Sequence, residues 1–435
     1  MTSMTRLGLR AISQLASSTR LDKLGLRKPT EQMLYQGSKM GFRGVTAANR
    51  TFKAMKGLTQ PARLSRSGPG EMFDLRPSDD QVMICDAVRI FAKEQFRPVA
   101  QAMDTAYGAS ADLLAQCNDL GVTVMGIPES LGGAGTERSA ITNVLIAEAL
   151  AEGDMGLAFA ALAPSAVSTA LVLWGSAEQQ ASYLGAFAGD TPPAAALAVQ
   201  EPRGLFDPFK LETRARLVNG RYVVDGVKSM VPLAARAELF IVAADIEGRG
   251  PGLLIIESST PGLSIKAETS MGLRAAETAQ LVMEGVSVPT GALLGGGAAE
   301  VYNECIQLSR LGWCALGTGC AQSVLDYLIP YVNEREAFGE PISHRQSVAF
   351  TVSDIAIDIS AMRLLTWQAA SLVDTDRPCE QAVALARRYC GDQGARIGSN
   401  GVQLLGGHGF VKEHPVERWY RDLRAVGLME GALLV

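Results

Sequence analysis

Apolar and polar positions alternate in three different ways along the chain, and the first pattern is helical. Over residues 78–103 apolar side chains recur every three or four positions, which is typical of one buried helix face. Asp79 and Asp80 suit the first turn of a helix, because acidic side chains interact well with its N-terminus. A Gly-rich stretch at 126–135 interrupts the pattern. The spacing predicts a helical domain over residues 71–190.

The second pattern is β-rich. Between residues 191 and 299, short runs of Val, Ile, Leu and Phe alternate with turn residues. Asn219-Gly220 and Asp225-Gly226 are dipeptides typical of hairpin turns. The runs lie about ten residues apart, which predicts a small β-barrel or sandwich.

Helical spacing returns over residues 300–435. The order helical, β, helical predicts an α+β multidomain protein with domains at 71–190, 191–299 and 300–435. A stretch without charges, residues 155–177, is long enough to span a bilayer. It is mostly Ala, Gly, Ser and Thr with Pro164 near its middle, so a buried pair of helices is predicted instead.

Charge separates residues 1–70 from the rest. This basic N-terminal arm holds 13 Lys and Arg against 2 Asp and Glu, whereas the remaining chain holds 27 against 43. The acidic body has no basic stripe, which argues against a nucleic-acid partner. Three interpretations of the arm stay open: a mitochondrial transit peptide over residues 1–28, a basic amphipathic helix in peripheral contact with a membrane, and an arm packed on the acidic body.

Cysteine and histidine usage gives no sign of a disulfide framework or a metal site. The seven cysteines include no C-x-x-C pair, and no two of the three histidines have metal-ligand spacing on a helix. A reducing compartment fits best, so a cytoplasmic location is expected, with the mitochondrial matrix as the alternative if residues 1–28 are a transit peptide.

Several short motifs in the C-terminal third point to one family. They are HPVERWYRDLR at 414–424, then Glu430-Gly431, preceded by REAFG at 335–339, Gln346 and QLLGGHG at 403–409. In this order and spacing, residues 73–435 resemble the FAD-dependent acyl-CoA dehydrogenases. The resemblance implies an N-terminal helical domain, a central β-domain and a C-terminal four-helix bundle. It also implies oxidation of an acyl-CoA to a trans-2-enoyl-CoA, with electrons passed to an electron-transfer flavoprotein.

The resemblance assigns the chemistry to few residues. Glu430 stands where the family has the base that removes the α-proton, and Gly431 would let the backbone approach the thioester. Apolar neighbours are expected to raise the pKa of Glu430 toward working pH. Other family members carry the base just before the arginine that contacts acyl-CoA. Here that arginine is Arg310 and Ser309 precedes it, which leaves Glu430 as the base.

The resemblance also implies the cofactor contacts. Arg335 and Gln346 correspond to FAD-binding positions, since a guanidinium suits diphosphate oxygens. The turn Gln403, Leu404, Leu405, Gly406 and Gly407 corresponds to the segment that receives the FAD of a neighbouring subunit, so a homodimer or homotetramer is expected. The backbone of Val199, Gln200 and Val231 is expected to hold the flavin ring.

Some positions depart from the family pattern. Phe206 replaces a serine, Gln307 replaces an aspartate, and Met230-Val231-Pro232 replaces Trp-Ile-Thr beside the flavin, with a proline that lacks a backbone donor. Two alternatives therefore stay open. One is an acyl-CoA oxidase-type flavoenzyme, and the other is a degenerate, non-catalytic subunit of a heteromeric dehydrogenase.

Overall fold

The computed structural model of the protein describes residues 62, 65–66, 76–189 and 191–433. The three interpretations of the basic arm fall almost wholly outside these residues. At the described end of the arm, the backbone of Ala62 and the side-chain amide of Gln180 exchange hydrogen bonds of 2.8 and 3.0 Å. Strand β1 (Ser65–Arg66) also pairs in parallel with β2 (Glu137–Arg138). This end of the arm therefore lies against the helical body.

The N-terminal region is helical, and its helices begin at polar caps that the sequence provides. Ser78 and Ser176 form capping boxes with Gln81 and Gln179, and the first helix begins at Asp79, as predicted. The helices are α1 (Asp79–Phe91), α2 (Ala100–Ala106), α3 (Ala111–Asn118), α4 (Ala140–Ala151), α5 (Met155–Trp174) and α6 (Ala177–Phe187).

Helix α5 is one continuous helix of 20 residues that passes through Pro164. The predicted pair of helices is therefore wrong. An interior proline removes a backbone hydrogen bond and costs about 3 kcal/mol, and burial of the helix offsets that cost. Of the described helices, α5 alone is long and apolar enough to cross a membrane, and 67% of its most apolar window is buried inside the protein.

The central region is one curled sheet. Its strands are β3 (Ala195–Ala198), β4 (Arg214–Val218), β5 (Arg221–Val231), β6 (Leu239–Ile246), β7 (Gly250–Glu257), β8 (Leu263–Ala267) and β9 (Ala279–Pro289). The order is β3-β6-β4-β5-β9-β8, with β7 also paired to β6. Strand β6 is parallel to β3 and β4, and the other pairs are antiparallel. The predicted β-domain is confirmed.

One of the two predicted hairpin turns is confirmed and the other is wrong. Asn219-Gly220 joins β4 to β5, with Val218 opposite Arg221. Asp225-Gly226 instead lies inside β5, at an irregularity in the pairing with β9. Gly226 has φ +149°, and an added Cβ would lie 2.6 Å from Thr213 Cα. The glycine serves a bulge and a close backbone approach there.

Long helices form the C-terminal domain: α7 (Ala299–Glu334), α8 (Gln346–Asp374) and α9 (Glu380–Leu405), followed by the short α10 (Val416–Asp422). A small hairpin, β10 (Glu336–Ala337) and β11 (Glu340–Pro341), joins α7 to α8. Helix α7 packs against α4, α8 and α9. Its 36 residues span about 54 Å.

Candidate active site

The lead-in motif at 414–424 is anchored by buried ion pairs. Arg418 Nε lies 2.8 Å from an Asp154 carboxylate oxygen, and Arg421 Nη2 lies 2.8 Å from an Asp104 carboxylate oxygen. All four side chains are at least nine-tenths buried. Because both aspartates belong to the N-terminal helical region, these pairs fix the start of the following turn relative to that region.

Glu430 lies in a tight turn after this motif. Its backbone is left-handed at φ +52°, and the residue is 6% exposed. Gly431 follows at φ +105°, and an added Cβ would lie 2.7 Å from Pro208 Cδ and 3.2 Å from Arg310 Nη2. The glycine is therefore required both by its φ and by the neighbouring chain.

The Glu430 carboxyl is buried beside α7. Burial raises its pKa above the ordinary range of glutamate, against the opposing effects of Arg387, Ser309, Arg310 and Trp313, of which Ser309 and Trp313 act through side-chain hydrogen bonds. Oxygen Oε2 has no hydrogen-bond partner within the described part of the chain. The group is thus a buried carboxyl with one free acceptor, the arrangement that proton abstraction requires.

Two arginines hold the backbone of this turn. Arg310 donates from Nε and Nη2 to the Glu430 carbonyl at 3.1 and 2.9 Å. Arg387 donates from Nη1 to the same carbonyl at 3.2 Å, and from Nη2 to the carbonyls of Met429, at 2.7 Å, and Gly431. Burial and the charge of Arg310 lower the pKa of Arg387 to about 10, so it stays charged at neutral pH.

Arg387 was not predicted from the sequence as a site residue, although the apolar positions around it indicate that its side chain is buried. The side chain lies in α9 among the apolar positions Val383, Ala386 and Cys390, all buried. A charged residue on such a face is rarely buried without partners. An arginine on this buried face is therefore expected to bind other buried groups of the protein.

A cavity of about 230 Å³ lies between α4, α5 and α7. Ser309 and Trp313, the side chains beside the Glu430 carboxyl, form part of its wall. Most of the wall is apolar, and the Phe159 and Trp313 rings meet at 4.7 Å. Elsewhere in the wall, the Ser165 hydroxyl donates to Thr123 Oγ1 at 3.3 Å. Ser309 and Trp313 therefore connect the buried carboxyl to a space suited to a hydrocarbon chain.

Among the residues predicted to contact the flavin ring, one hydrogen-bond acceptor has no partner in the described part of the chain. The carbonyl of Val199 accepts from Lys228 Nζ at 3.1 Å, and that of Gln200 accepts from the Ser229 amide at 2.9 Å. These carbonyls are already engaged. Gln200 Oε1 is buried and has no partner among the described residues, while Val231 is buried nearby in β5. A ring N–H of a flavin would satisfy this oxygen, so the residues fit the cofactor through the Gln200 side chain.

Phe206, one of the departures, closes a loop onto the catalytic turn. Its side chain is fully buried in the core of the β-domain. Its carbonyl accepts from the Ala432 amide at 2.9 Å, and the Tyr302 hydroxyl donates to the neighbouring Pro208 carbonyl at 2.6 Å. The side chain of Phe206 thus packs in the β-domain, while its backbone carbonyl binds the chain just after Glu430.

The remaining cofactor candidates lie together at the other end of the molecule. Arg335, Gln346, Gln403, Gly406 and Gly407 are exposed where α7 ends, α8 begins and α9 ends, whereas Leu404 is half-buried and Leu405 is buried.

The ends of α7 and α9 are joined at that surface. The Tyr331 hydroxyl donates to the Leu405 carbonyl at 3.3 Å and also bonds His408 Nδ1 at 2.9 Å. No atom lies within 4 Å of a Cβ placed on Gly406, so a ligand can approach the backbone.

One chain does not bring the two groups of candidates together. Arg310, beside Glu430, and Arg335 are separated by 25 residues along the same helix. That separation corresponds to about 37 Å. The predicted site residues therefore form two groups, one around Glu430 and one around Arg335.

Three family models match the chain in succession. They are described as the acyl-CoA dehydrogenase N-terminal domain, over residues 78–190, the middle domain, over 196–286, and the C-terminal domain, over 296–433. The protein belongs to the acyl-CoA dehydrogenase family. The family is FAD-dependent and comprises oxidoreductases that act on the CH–CH group of acyl-CoA.

Relatives and solved structures agree with this assignment. The chain is 31% identical to the probable short/branched chain specific acyl-CoA dehydrogenase of Dictyostelium discoideum, across 81% of this chain and 87% of that protein. It is 31% identical to the human mitochondrial short-chain specific acyl-CoA dehydrogenase, across 80% and 86%.

Among structures, butyryl-CoA dehydrogenase from Megasphaera elsdenii has a TM-score of 0.77 at 26% identity, over 83% of this chain and 97% of that one. A structure described under the electron transferring flavoprotein of Acidaminococcus fermentans has a TM-score of 0.77 at 29% identity, over 83% and 97%. The predicted three-part acyl-CoA dehydrogenase fold is confirmed.

Proposed function

We propose that the protein converts an acyl-CoA thioester to the trans-2-enoyl-CoA with Glu430 as the catalytic base. The α-carbon loses its proton to the Glu430 carboxylate, the β-carbon loses a hydride, and the two carbons form the double bond. FAD supplies the acceptor for the hydride when it is bound. The observation that carries the proposal is a buried carboxyl with one unpartnered oxygen, whose neighbours Ser309 and Trp313 line an apolar cavity.

The carboxyl is suited to this reaction because of where it lies. An α-proton of a thioester is weakly acidic, so a base with a raised pKa is a better acceptor than an exposed glutamate. Burial provides that shift for Glu430, while Arg310 and Arg387 keep the ionised form accessible. The apolar wall excludes water, which would otherwise compete for the carboxylate.

The cofactor is proposed to bind across two subunits. Gln200 and Val231 support the flavin ring near Glu430, and Arg335 with the turn 403–407 supports the diphosphate of a neighbour's FAD. The support for this arrangement is the separation of about 37 Å between Arg310 and Arg335 along α7 in one chain. A second copy, related by two-fold symmetry, would place its cofactor-binding end at the first copy's catalytic end. A homodimer is the smallest assembly that completes the site.

The acyl group is proposed to be longer than the short chains named for the relatives. An apolar cavity of 150 Å³ holds benzene, so by proportion a cavity of about 230 Å³ holds roughly nine carbons. Small side chains create the space, including Gly126, Ala163, Ala166 and Gly312. Acyl groups of about eight to ten carbons fill it, whereas a butyryl group leaves most of it empty.

The electron acceptor is proposed to be an electron-transfer flavoprotein, in keeping with the family and with the similarity to a structure described under such a protein. The two alternatives make different predictions. An oxidase-type enzyme would reoxidise rapidly with oxygen and release peroxide. A degenerate subunit would stay colourless after FAD addition. The intact buried carboxyl beside the cavity supports the catalytic interpretation.

Anaerobic mixing of the FAD-loaded protein with acyl-CoAs of four to twelve carbons tests the proposal. The flavin absorbance should bleach, fastest with the chains of about eight to ten carbons. An electron-transfer flavoprotein should then restore the colour faster than air does. Protein that binds FAD stoichiometrically but bleaches with none of the acyl-CoAs would contradict the proposed reaction.

A further inference from the structure

Arg387 makes more contacts to the catalytic turn than any reaction step explains. Its guanidinium donates to the carbonyls of three consecutive residues, Met429, Glu430 and Gly431. The side chain comes from α9, some 40 positions earlier in the chain, and it is 4% exposed. A buried cation with no carboxylate among these hydrogen-bond partners is unusual, because desolvation of the charge is offset only by carbonyl dipoles.

The backbone carbonyls of residues 429–431 need a hydrogen-bond donor such as Arg387. Two successive residues, Glu430 and Gly431, have positive φ, so the turn cannot use helical or strand hydrogen bonding for its carbonyls. A left-handed conformation at a non-glycine residue is strained and persists only where the surroundings hold it. Three buried carbonyls converging on one point would also repel each other without a donor between them.

Arg310 does not duplicate this arrangement. It donates to the Glu430 carbonyl alone, it is half-buried, and its guanidinium lies 5.9 Å from the centre of the Phe209 ring. Arg387 therefore carries the contacts to the flanking carbonyls of Met429 and Gly431.

We infer that Arg387 is a positioning residue: by binding the carbonyls of residues 429–431 together, it holds the Glu430 carboxyl at Ser309 and Trp313, beside the cavity. This inference rests on the proposed function for its kinetic consequence, but its structural consequence can be measured separately. If the inference is right, loss of the Arg387 guanidinium frees the turn before it disturbs the rest of the fold, because the hydrogen bonds that Arg387 makes within the described residues all go to this turn.

The positive charge of Arg387 also affects the pKa of Glu430. The ionisable groups that face the Glu430 carboxyl are Arg387 from α9 together with Arg310, Tyr302 and Cys305 from α7. Burial raises the pKa of Tyr302 and of Cys305, so both stay neutral near pH 7. The two arginines are the cations that favour the ionised carboxylate, and removal of Arg387 raises the pKa of Glu430 further.

The test compares R387K, which keeps the positive charge but loses the planar guanidinium, with R387Q and R387M, which remove the charge. R388M is the matched control, since Arg388 is exposed on the same helix and pairs with Asp392 at 2.7 Å. The readouts are amide hydrogen exchange over residues 425–433 and the pH dependence of anaerobic flavin reduction by an acyl-CoA.

We expect faster exchange of the 425–433 amides in all three Arg387 variants and not in R388M. Flavin reduction should fall about 100-fold in R387M, as expected when a catalytic group is misplaced by about 1 Å. The acid limb of the rate profile should move to higher pH in R387Q and R387M and stay in place in R387K, because only the first two lose the cation.

Unchanged exchange in R387K together with an acid limb that does not move in R387Q would overturn the inference. If R387M does not fold, R387K and R387Q still decide the question. If the wild type reduces no flavin, the proposed function fails while the exchange measurement still tests the positioning.

Discussion

Burial of the Glu430 carboxyl has opposite consequences for reaction and for stability. The raised pKa suits a base, but it means that ionisation of the group is less favourable in the folded protein than in the unfolded chain. The left-handed backbone of Glu430 adds a second local cost. At the scale of single residues, the site is therefore held by its surroundings, chiefly Arg310, Arg387 and the packing of Gly431.

The first prediction is that Glu430→Gln stabilises the protein at high pH. The unfolded chain ionises with a pKa near 4.3, and the folded protein ionises higher, so the penalty is absent below pH ~4 and complete above the folded pKa. Thermal unfolding of E430Q should match the wild type at pH 4 and occur at higher temperature at pH 8. Glu413→Gln, at an exposed glutamate, is the control that should show no such pH-dependent gain.

The second prediction concerns Gly431. In Gly431→Ala the new Cβ meets Pro208 and Arg310, and φ +105° is strained for alanine. The free energy of unfolding in urea should fall by about 1–3 kcal/mol, with slower flavin reduction. Gly291→Ala is the control, because no atom lies within 4 Å of its added Cβ and its φ is not positive. Equal stability of the two variants would contradict this account of the turn.

Single residues also mark the limit of what the sequence predicts. Glu430, Gly431 and Arg310 were predicted from motif spacing, and the structure brings them together. Arg387 was not, since its contacts join positions far apart in sequence through an arrangement of helices that no local pattern describes. The hydrogen bonds from Lys228 and Ser229 to the carbonyls of Val199 and Gln200 were likewise not predictable, because they form only in the folded β-domain.

Secondary-structure elements were predicted well where the periodicity was long and poorly where tertiary contacts override local preference. The helices before and after the β-domain follow their apolar spacing. Pro164 did not divide α5, because that helix is buried along most of its length. Gly226 did not form a turn, because Thr213 approaches its backbone. The cavity likewise depends on how α4, α5 and α7 pack together, which the sequence could not supply.

The third prediction tests that cavity. Ala163 is buried in α5 and lines the cavity, so Ala163→Leu should shorten the space without removing any contact to Glu430. Flavin reduction by acyl-CoAs of eight to ten carbons should slow at least about tenfold, and reduction by butyryl-CoA should change little. Ala181→Leu, at an exposed alanine of α6, controls for the added side chain. Equal slowing at every chain length would contradict the assignment of the cavity to the acyl group.

For the whole molecule, the length of α7 sets the requirement for assembly. Arg310, beside Glu430, and Arg335, the predicted diphosphate arginine, lie about 37 Å apart along it. If the proposed cofactor contacts are right, a monomer holds two incomplete halves of different cofactor sites.

The fourth prediction is subunit complementation. E430Q lacks the base, and Arg335→Glu should prevent FAD binding to the partner's site, so each variant alone should be inactive. When the two are dissociated and reassembled at equal amounts, about a quarter of wild-type activity should return, since half of the dimers are mixed and each has one intact site. Mixed oligomers that form but regain no activity would contradict a site shared between subunits.

The identity of the base is tested most directly by rapid anaerobic mixing of FAD-loaded E430Q with an acyl-CoA of about eight carbons. The substitution is nearly isosteric and leaves the backbone contacts of Arg310 and Arg387 in place, so fold, FAD content and acyl-CoA binding should be retained. Flavin reduction should be more than ~100-fold slower than in the wild type, the least expected for removal of a general base. Bleaching of E430Q at a near wild-type rate would show that another group removes the α-proton.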